Sequence, residues 1–159
     1  MTEAAVHVRS ASAADHAIIV SFNRRMAAET EGKTLDPAVL EAGVRQALAD
    51  PARCLYFIAE LSGTPVGQTM VTFEWSDWRN GFFWWIQSVY VEESARRRGV
   101  FRALHRHIRD LALARPDTCG LRLYVHHDNT RALETYRHLG MTVSDYLLCE
   151  EEWPAPRRP

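Results

Sequence analysis

Residues 89–101 read Val89-Tyr90-Val91-Glu92-Glu93-Ser94-Ala95-Arg96-Arg97-Arg98-Gly99-Val100-Phe101. An apolar strand end passes through an arginine-rich turn into a new periodicity, in which Val100, Leu104, Ile108 and Leu111 recur every three to four residues and predict a helix of about four turns. A helix start leaves backbone N–H groups without internal partners and carries partial positive charge, so this turn is suited to an anion. Gly99 permits close approach of the backbone. A solvated arginine turn that only caps the helix is the alternative.

Upstream, three apolar runs, Cys54–Leu61, Val66–Trp75 and Phe82–Val91, are separated by Ser62-Gly63-Thr64-Pro65 and by a polar turn ending in Asn80-Gly81. They predict an antiparallel meander. A short strand at 6–9 precedes them, then a helix from a Ser12/Asp15 capping box to about Ala28 with Ile18, Ile19, Phe22 and Met26 as its stripe. A second helix starts at Asp36-Pro37, carries Leu40, Val44 and Leu48 and ends near Asp50-Pro51. Downstream, Leu121–His126 alternates as a strand, Asn129–Leu139 reads as a helix stopped by Gly140, and 142–149 is expected to add a last strand or two. This order predicts an α/β fold around one sheet.

The chain has 159 residues, 47% hydrophobic and 25% charged, with a formal net charge of −1, which excludes disordered and fibrous classes and predicts a single domain over 1–152. The tail 153–159, rich in proline and arginine, is expected to be extended or disordered. No apolar run approaches the roughly 20 residues of a membrane span and no signal pattern opens the chain, so the expected location is the cytoplasm, with no membrane partner. Three cysteines, Cys54, Cys119 and Cys149, have no metal-ligand spacing and read as reduced structural thiols, and no metal is expected. The arginines from Arg96 to Arg109 are a local feature of a near-neutral chain, so nucleic acid is not an expected partner.

The strand and loop resemble motif A of the GNAT acyltransferases, a hydrophobic strand followed by Arg/Gln-x-x-Gly-x-Gly/Ala, with Arg96, Gly99 and Phe101 at the three key positions. Phe101 departs from the usual small residue. The later stretch Asn129-Thr130-Arg131-Ala132-Leu133-Glu134-Thr135-Tyr136-Arg137-His138-Leu139-Gly140-Met141 resembles the family's Asn-x-x-Ala-x-x-x-Tyr-x-x-x-Gly-Phe segment, with Met141 in place of Phe. The resemblance implies a single-domain GNAT-like fold: a mixed, mostly antiparallel twisted sheet of six or seven strands flanked by about four helices.

It also implies an acetyltransferase using acetyl-CoA as cosubstrate, acting on a primary amine of a small molecule or peptide. A catalytically silent acyl-CoA-binding sensor is the alternative. The implied coenzyme contacts are Val89, Tyr90, Val91, Arg96, Arg97, Arg98, Gly99, Val100, Phe101, Asn129 and Tyr136. The Val89 N–H would polarise the thioester carbonyl and Tyr136 would protonate the departing thiolate. From the residues themselves, Asn129 as a helix cap and Tyr136 as a packing residue stay open. Glu74, Glu29, Glu31 and His126 are candidate bases, Glu74 foremost. Glu29, Glu31, Trp75 and Trp85 are candidate acceptor contacts, the tryptophans with their neighbours Trp78 and Trp84 offering a possible aromatic wall for a cation. Exposed tryptophans and a sheet edge leave room for a homodimer.

Overall fold

The computed structural model describes residues 5–153, so most of the expected tail, from Pro154 on, lies outside the described residues. The chain divides into two units, 1–124 and 125–159.

The first unit holds one sheet in the order β1-β2-β3-β4-β5: β1 Val6–Ser10, β2 Cys54–Leu61, β3 Thr64–Ser76, β4 Gly81–Val91 and β5 Thr118–Leu123. The first four strands pair antiparallel, as the short turns between β2, β3 and β4 require. β5 is parallel to β4, because the chain crosses over through α3 Val100–Leu113. Among the described residues five strands stand in place of the expected six or seven: residues 142–149 adopt no regular structure, although Tyr146, Leu147 and Leu148 are apolar and exposed there.

Alternation along the strands sends side chains to two different covers. On the α3 side, Phe57, Val71, Trp84 and Ile86 pack with Val100, Leu104 and Ile108 of the helix. Leu111, expected on the same stripe, is 38% exposed, and Ala112 takes the buried place. On the other side, α1 His16–Glu31 and α2 Pro37–Ala49 bring Ile19 and Val44 onto Cys54, Tyr56 and Ile58. Both helix starts follow the sequence reading. Ser12 and Asp15 form the capping box on a 3-10 turn before α1, and the Asp36 carboxylate accepts from Val39 N–H at 3.1 Å. Asp15 also takes two bonds from Arg9, at 2.8 and 2.9 Å, while Arg9 Nε reaches Glu60 at 2.7 Å. The guanidinium holds the Asp15 carboxyl below its ordinary range.

In the second unit, α4 spans Thr130–His138 and Asn129 Oδ1 accepts from Ala132 N–H at 3.1 Å. Among the described residues no helix is long and apolar enough to cross a membrane. The three cysteines are free thiols, buried at Cys54 and exposed at Cys149.

Candidate active site

The site is built around an irregularity in β4. Gln68 pairs with Tyr90 and Met70 with Gln87, so Thr69 alone faces both Ser88 and Val89, a β-bulge with Ser88 at φ 50°. The extra residue reverses the alternation. Ile86 faces α3, yet so do Val89 and Val91, while Tyr90 turns to α1 and packs on Phe22 with ring centroids 5.2 Å apart. Beyond Ile86, β4 has no register partner in β5 among the described residues and continues its pairing with β3.

Polar side chains support the bulge from within. Thr69 Oγ1 donates to Gln87 O at 3.1 Å, and Gln68 Nε2 donates to Ser88 O at 3.4 Å and to Asn23 Oδ1 at 2.9 Å. Asn23 Nδ2 in turn donates to Tyr56 Oη at 3.3 Å. All four residues are buried, and burial pushes the Tyr56 phenol up. The sequence reading missed this set. Its signal was a Gln-Thr pair inside an apolar strand and an asparagine beside Phe22 on a helix's inner face.

After β4 the chain makes a 3-10 turn at Glu93–Ala95 and then the arginine loop. Arg97 (φ 66°) and Gly99 (φ 76°) both take left-handed conformations, which turn the backbone into the first turn of α3, and no side chain caps that helix. Nothing lies within 4 Å of a Cβ built on Gly99, so the glycine serves its φ and leaves the loop surface open.

An open cleft beside the bulge is lined by Glu29, Thr30, Val89, Val91, Glu93 and Arg96, so residues read from distant parts of the sequence meet here. Arg96 Nε donates to Val91 O at 3.0 Å and its Nη2 forms a close ion pair with Glu29. Tyr90 Oη donates to the same carboxylate at 3.1 Å. The Arg96 guanidinium holds Glu29 below the usual carboxylate range, and burial raises the Tyr90 phenol.

The other acceptor candidates lie apart. Glu74 accepts from Trp85 Nε1 at 2.7 Å and from Arg122 Nη1 at 2.6 Å, while Arg122 covers the Phe83 ring at 3.6 Å and Trp85 stacks on Tyr124. Trp75 is opposite Phe82 on the α3 side of the sheet, whereas Trp85 is opposite Thr72 on the other side. Trp84 is core and Trp78 is 93% exposed in its turn, so the four tryptophans form no common wall. Glu31, at the end of α1, pairs with Lys33 at 2.7 Å. In the second unit, burial raises the half-buried Tyr136 phenol, and His126 and His127 stack beside Asp128 on an exposed loop.

Residues 20–141 match the sequence family described as the acetyltransferase (GNAT) family. The chain belongs to it. A possible acetyltransferase from Clostridium difficile 630 is 42% identical and superposes with a TM-score of 0.87 over 94% of this chain and 98% of that one. A predicted acetyltransferase from Clostridium acetobutylicum, solved with acetyl-CoA, is 19% identical with a TM-score of 0.75 over 92% and 96% of the two chains. AAC(6')-Iy, solved with a bisubstrate analogue, is 14% identical with a TM-score of 0.74 over 94% and 99%. These last two show the fold alone. No curated protein matches significantly. GNAT acetyltransferases use acetyl-CoA, and the uncapped, glycine-started helix following β4 has the donor chemistry that its pyrophosphate requires.

Proposed function

We propose that this GNAT chain transfers the acetyl group of acetyl-CoA to a primary amine of a small molecule or peptide, by direct attack while both substrates are bound. The observation that carries this reading is the continuous course of bulged β4 into the loop Arg96–Phe101 and the uncapped start of α3. Acetyl-CoA supplies the activated acetyl group. The loop amides, with Arg97 and Arg98 beside them, hold its pyrophosphate, and Val89, Tyr90 and Val91 offer backbone along a strand segment that β5 does not occupy. The Val89 N–H donates to the thioester carbonyl oxygen as negative charge develops there. Asn129 is assigned to coenzyme contact through groups other than its capping Oδ1.

Tyr136 holds the proton for the departing thiolate, and a phenol raised by burial keeps that proton at neutral pH. Glu29 and Glu31 flank the acceptor side, and Glu29 already lines the cleft at Val89. Glu74, with Trp85 and Arg122 on its two carboxylate oxygens, suits an orienting role unless one of those donors leaves. Trp75 and Trp85 remain proposed as separate acceptor contacts, one on each side of the sheet.

Calorimetric titration with acetyl-CoA, and with dephospho-CoA as comparison, tests the coenzyme site. Saturable micromolar binding of both is expected, followed by amine-dependent release of free coenzyme A across an amine panel. Folded protein that binds neither sinks the reading. In Tyr136→Phe, turnover falls while acetyl-CoA affinity stays the same.

A further inference from the structure

The Val89 N–H is useful only if it points away from its own sheet, and a backbone amide cannot be aimed by its own side chain. Its direction is set by its peptide plane. Ser88 C=O and Val89 N–H belong to one planar unit and point opposite ways, so whatever holds Ser88 O fixes the Val89 donor. Gln68 Nε2 holds that oxygen at 3.4 Å from the α1 side of β3, and Thr69 Oγ1 holds the preceding carbonyl, Gln87 O, at 3.1 Å from the α3 side. Two consecutive peptide planes of the bulge are thus held from opposite faces of the neighbouring strand.

Ser88 needs that support, since φ 50° is a conformation that a residue with a Cβ rarely adopts. Gln68 is itself anchored, because its second bond runs to Asn23 Oδ1 at 2.9 Å and Asn23 bonds Tyr56 Oη. The relay ties the bulge to α1 and β2. Gln68 is fully buried, and its Oε1 has no hydrogen-bond partner among the described residues, so its amide is held there by its two donated bonds alone. An apolar side chain of similar length would remove that orphaned acceptor but take the donor away from Asn23 Oδ1 and Ser88 O. A bond to Ser88 O also polarises the shared peptide and strengthens its N–H as a donor.

We propose that Gln68 is a positioning residue for acetyl transfer: through Ser88 O it aims the Val89 N–H at the thioester carbonyl, with Asn23 and Tyr56 holding it in place. This rests on the proposed role of the Val89 N–H, and the readout separates the two. The carbonyl stretch of carbon-13-labelled acetyl-CoA is followed by difference infrared spectroscopy in wild type, Gln68→Met and Tyr56→Phe, with affinities from calorimetry and folding from circular dichroism.

Wild type is expected to lower the carbonyl frequency relative to free acetyl-CoA. Gln68→Met loses at least half of that shift while Kd changes less than about twofold, and turnover falls about tenfold, below the effect of deleting an oxyanion donor outright. Tyr56→Phe, which removes the anchor of Asn23 and the phenol's own contact with the Ser88 side chain but leaves the Gln68 bond to Ser88 O, loses a smaller part. A full shift in folded Gln68→Met overturns the proposal. Should Gln68→Met fail to fold, a full shift in Tyr56→Phe overturns it instead. No shift in wild type despite binding removes the Val89 role and the proposal with it, and no binding removes the coenzyme site on which both depend.

Discussion

The two sides of the sheet are buried by different means. Under α3, Phe57, Val71, Trp84, Ile86, Leu104 and Ile108 meet in a cluster with little polar content beyond Thr69 and His105. Under α1, at the same level of β3 and β4, buried Asn23, Gln68 and Tyr56 spend their hydrogen bonds on one another and on a bulge carbonyl. Apolar burial is nondirectional and tolerates modest shifts, whereas hydrogen-bonded groups fix orientation and lose sharply when displaced. The first side therefore supplies mainly stability, with Thr69 as its hold on the bulge, and the second adds the buried relay that sets the geometry at Val89. If that division is right, perturbations of the two sides separate in kind as well as in size.

The largest expected effect is on stability alone. Leu104 is fully buried in the α3 cluster, so Leu104→Ala should cost about 2–5 kcal/mol in denaturant unfolding, through lost transfer energy and a residual cavity. Acetyl-CoA affinity per folded molecule should stay near wild type. A matching drop in affinity would break the comparison, because it would make the apolar side part of the site's aim.

Gly67→Ala is designed to cross the division. A Cβ there would sit 2.9 Å from Tyr90 O and 3.0 Å from Val100 Cγ1, pressing at once on the bulged strand and on the first residue of α3. The side chain can yield and the carbonyl cannot without moving β4. A cost of about 1–3 kcal/mol is expected from overpacking, together with weaker acetyl-CoA binding. Stability loss with unchanged binding would mean that the strand accommodates the shift away from the site.

The contrast also marks what sequence could and could not disclose. Helix starts at Ser12 and Asp36, the meander and the change of period after Gly99 were legible because each is a local pattern of caps, turns and apolar spacing. The residues of the loop were legible for the same reason. The bulge was not: Phe82–Val91 reads as one strand, and the reversal at Ser88 depends on a partner strand twenty residues away. The meeting of Glu29 with Arg96 likewise depends on how α1 crosses β4, and the separation of Trp75 from Trp85 on the register of β3. The strand expected over 142–149 rested on apolar residues that are exposed outside any strand here.

A pH titration sharpens the picture of the α3 side. His105 is buried there, and burial first, then the nearby Arg109 charge, lowers its pKa. His107, edge-on to Phe57, is lowered by burial as well, with Asp110 opposing and His7 adding to the shift. Folding thus favours the neutral rings, and the unfolded chain binds more protons once pH falls below about 6.5. Stability should be flat above that value and decline as pH drops toward the folded pKa, by up to about 1.4 kcal/mol per unit for each ring. His105→Gln should remove its share of the slope, and an unchanged profile would assign the whole of it to other groups.

The smallest effect is expected where the polar side of the sheet runs out from under its helices. Glu74, Trp85 and Arg122 are linked by bonds of 2.6 and 2.7 Å, shorter than any in the buried relay, yet Glu74 and Arg122 are 44% and 40% exposed. Water competes for the same groups, so Arg122→Ala should shift unfolding by no more than about 1 kcal/mol, and part of that should be the lost stacking on Phe83. Raising the salt should shrink the remainder, because exposed pairs are screened. Geometry is then not enough to make a polar contact costly to lose: the 3.4 Å bond from Gln68 should matter more to catalysis than the 2.6 Å bond from Arg122 does to stability, since the Gln68 side chain is fully buried whereas Arg122 and Glu74 both stand open to solvent. A larger loss in Arg122→Ala, insensitive to salt, would show that the Glu74–Arg122 pair is shielded from water and break the contrast with the buried relay.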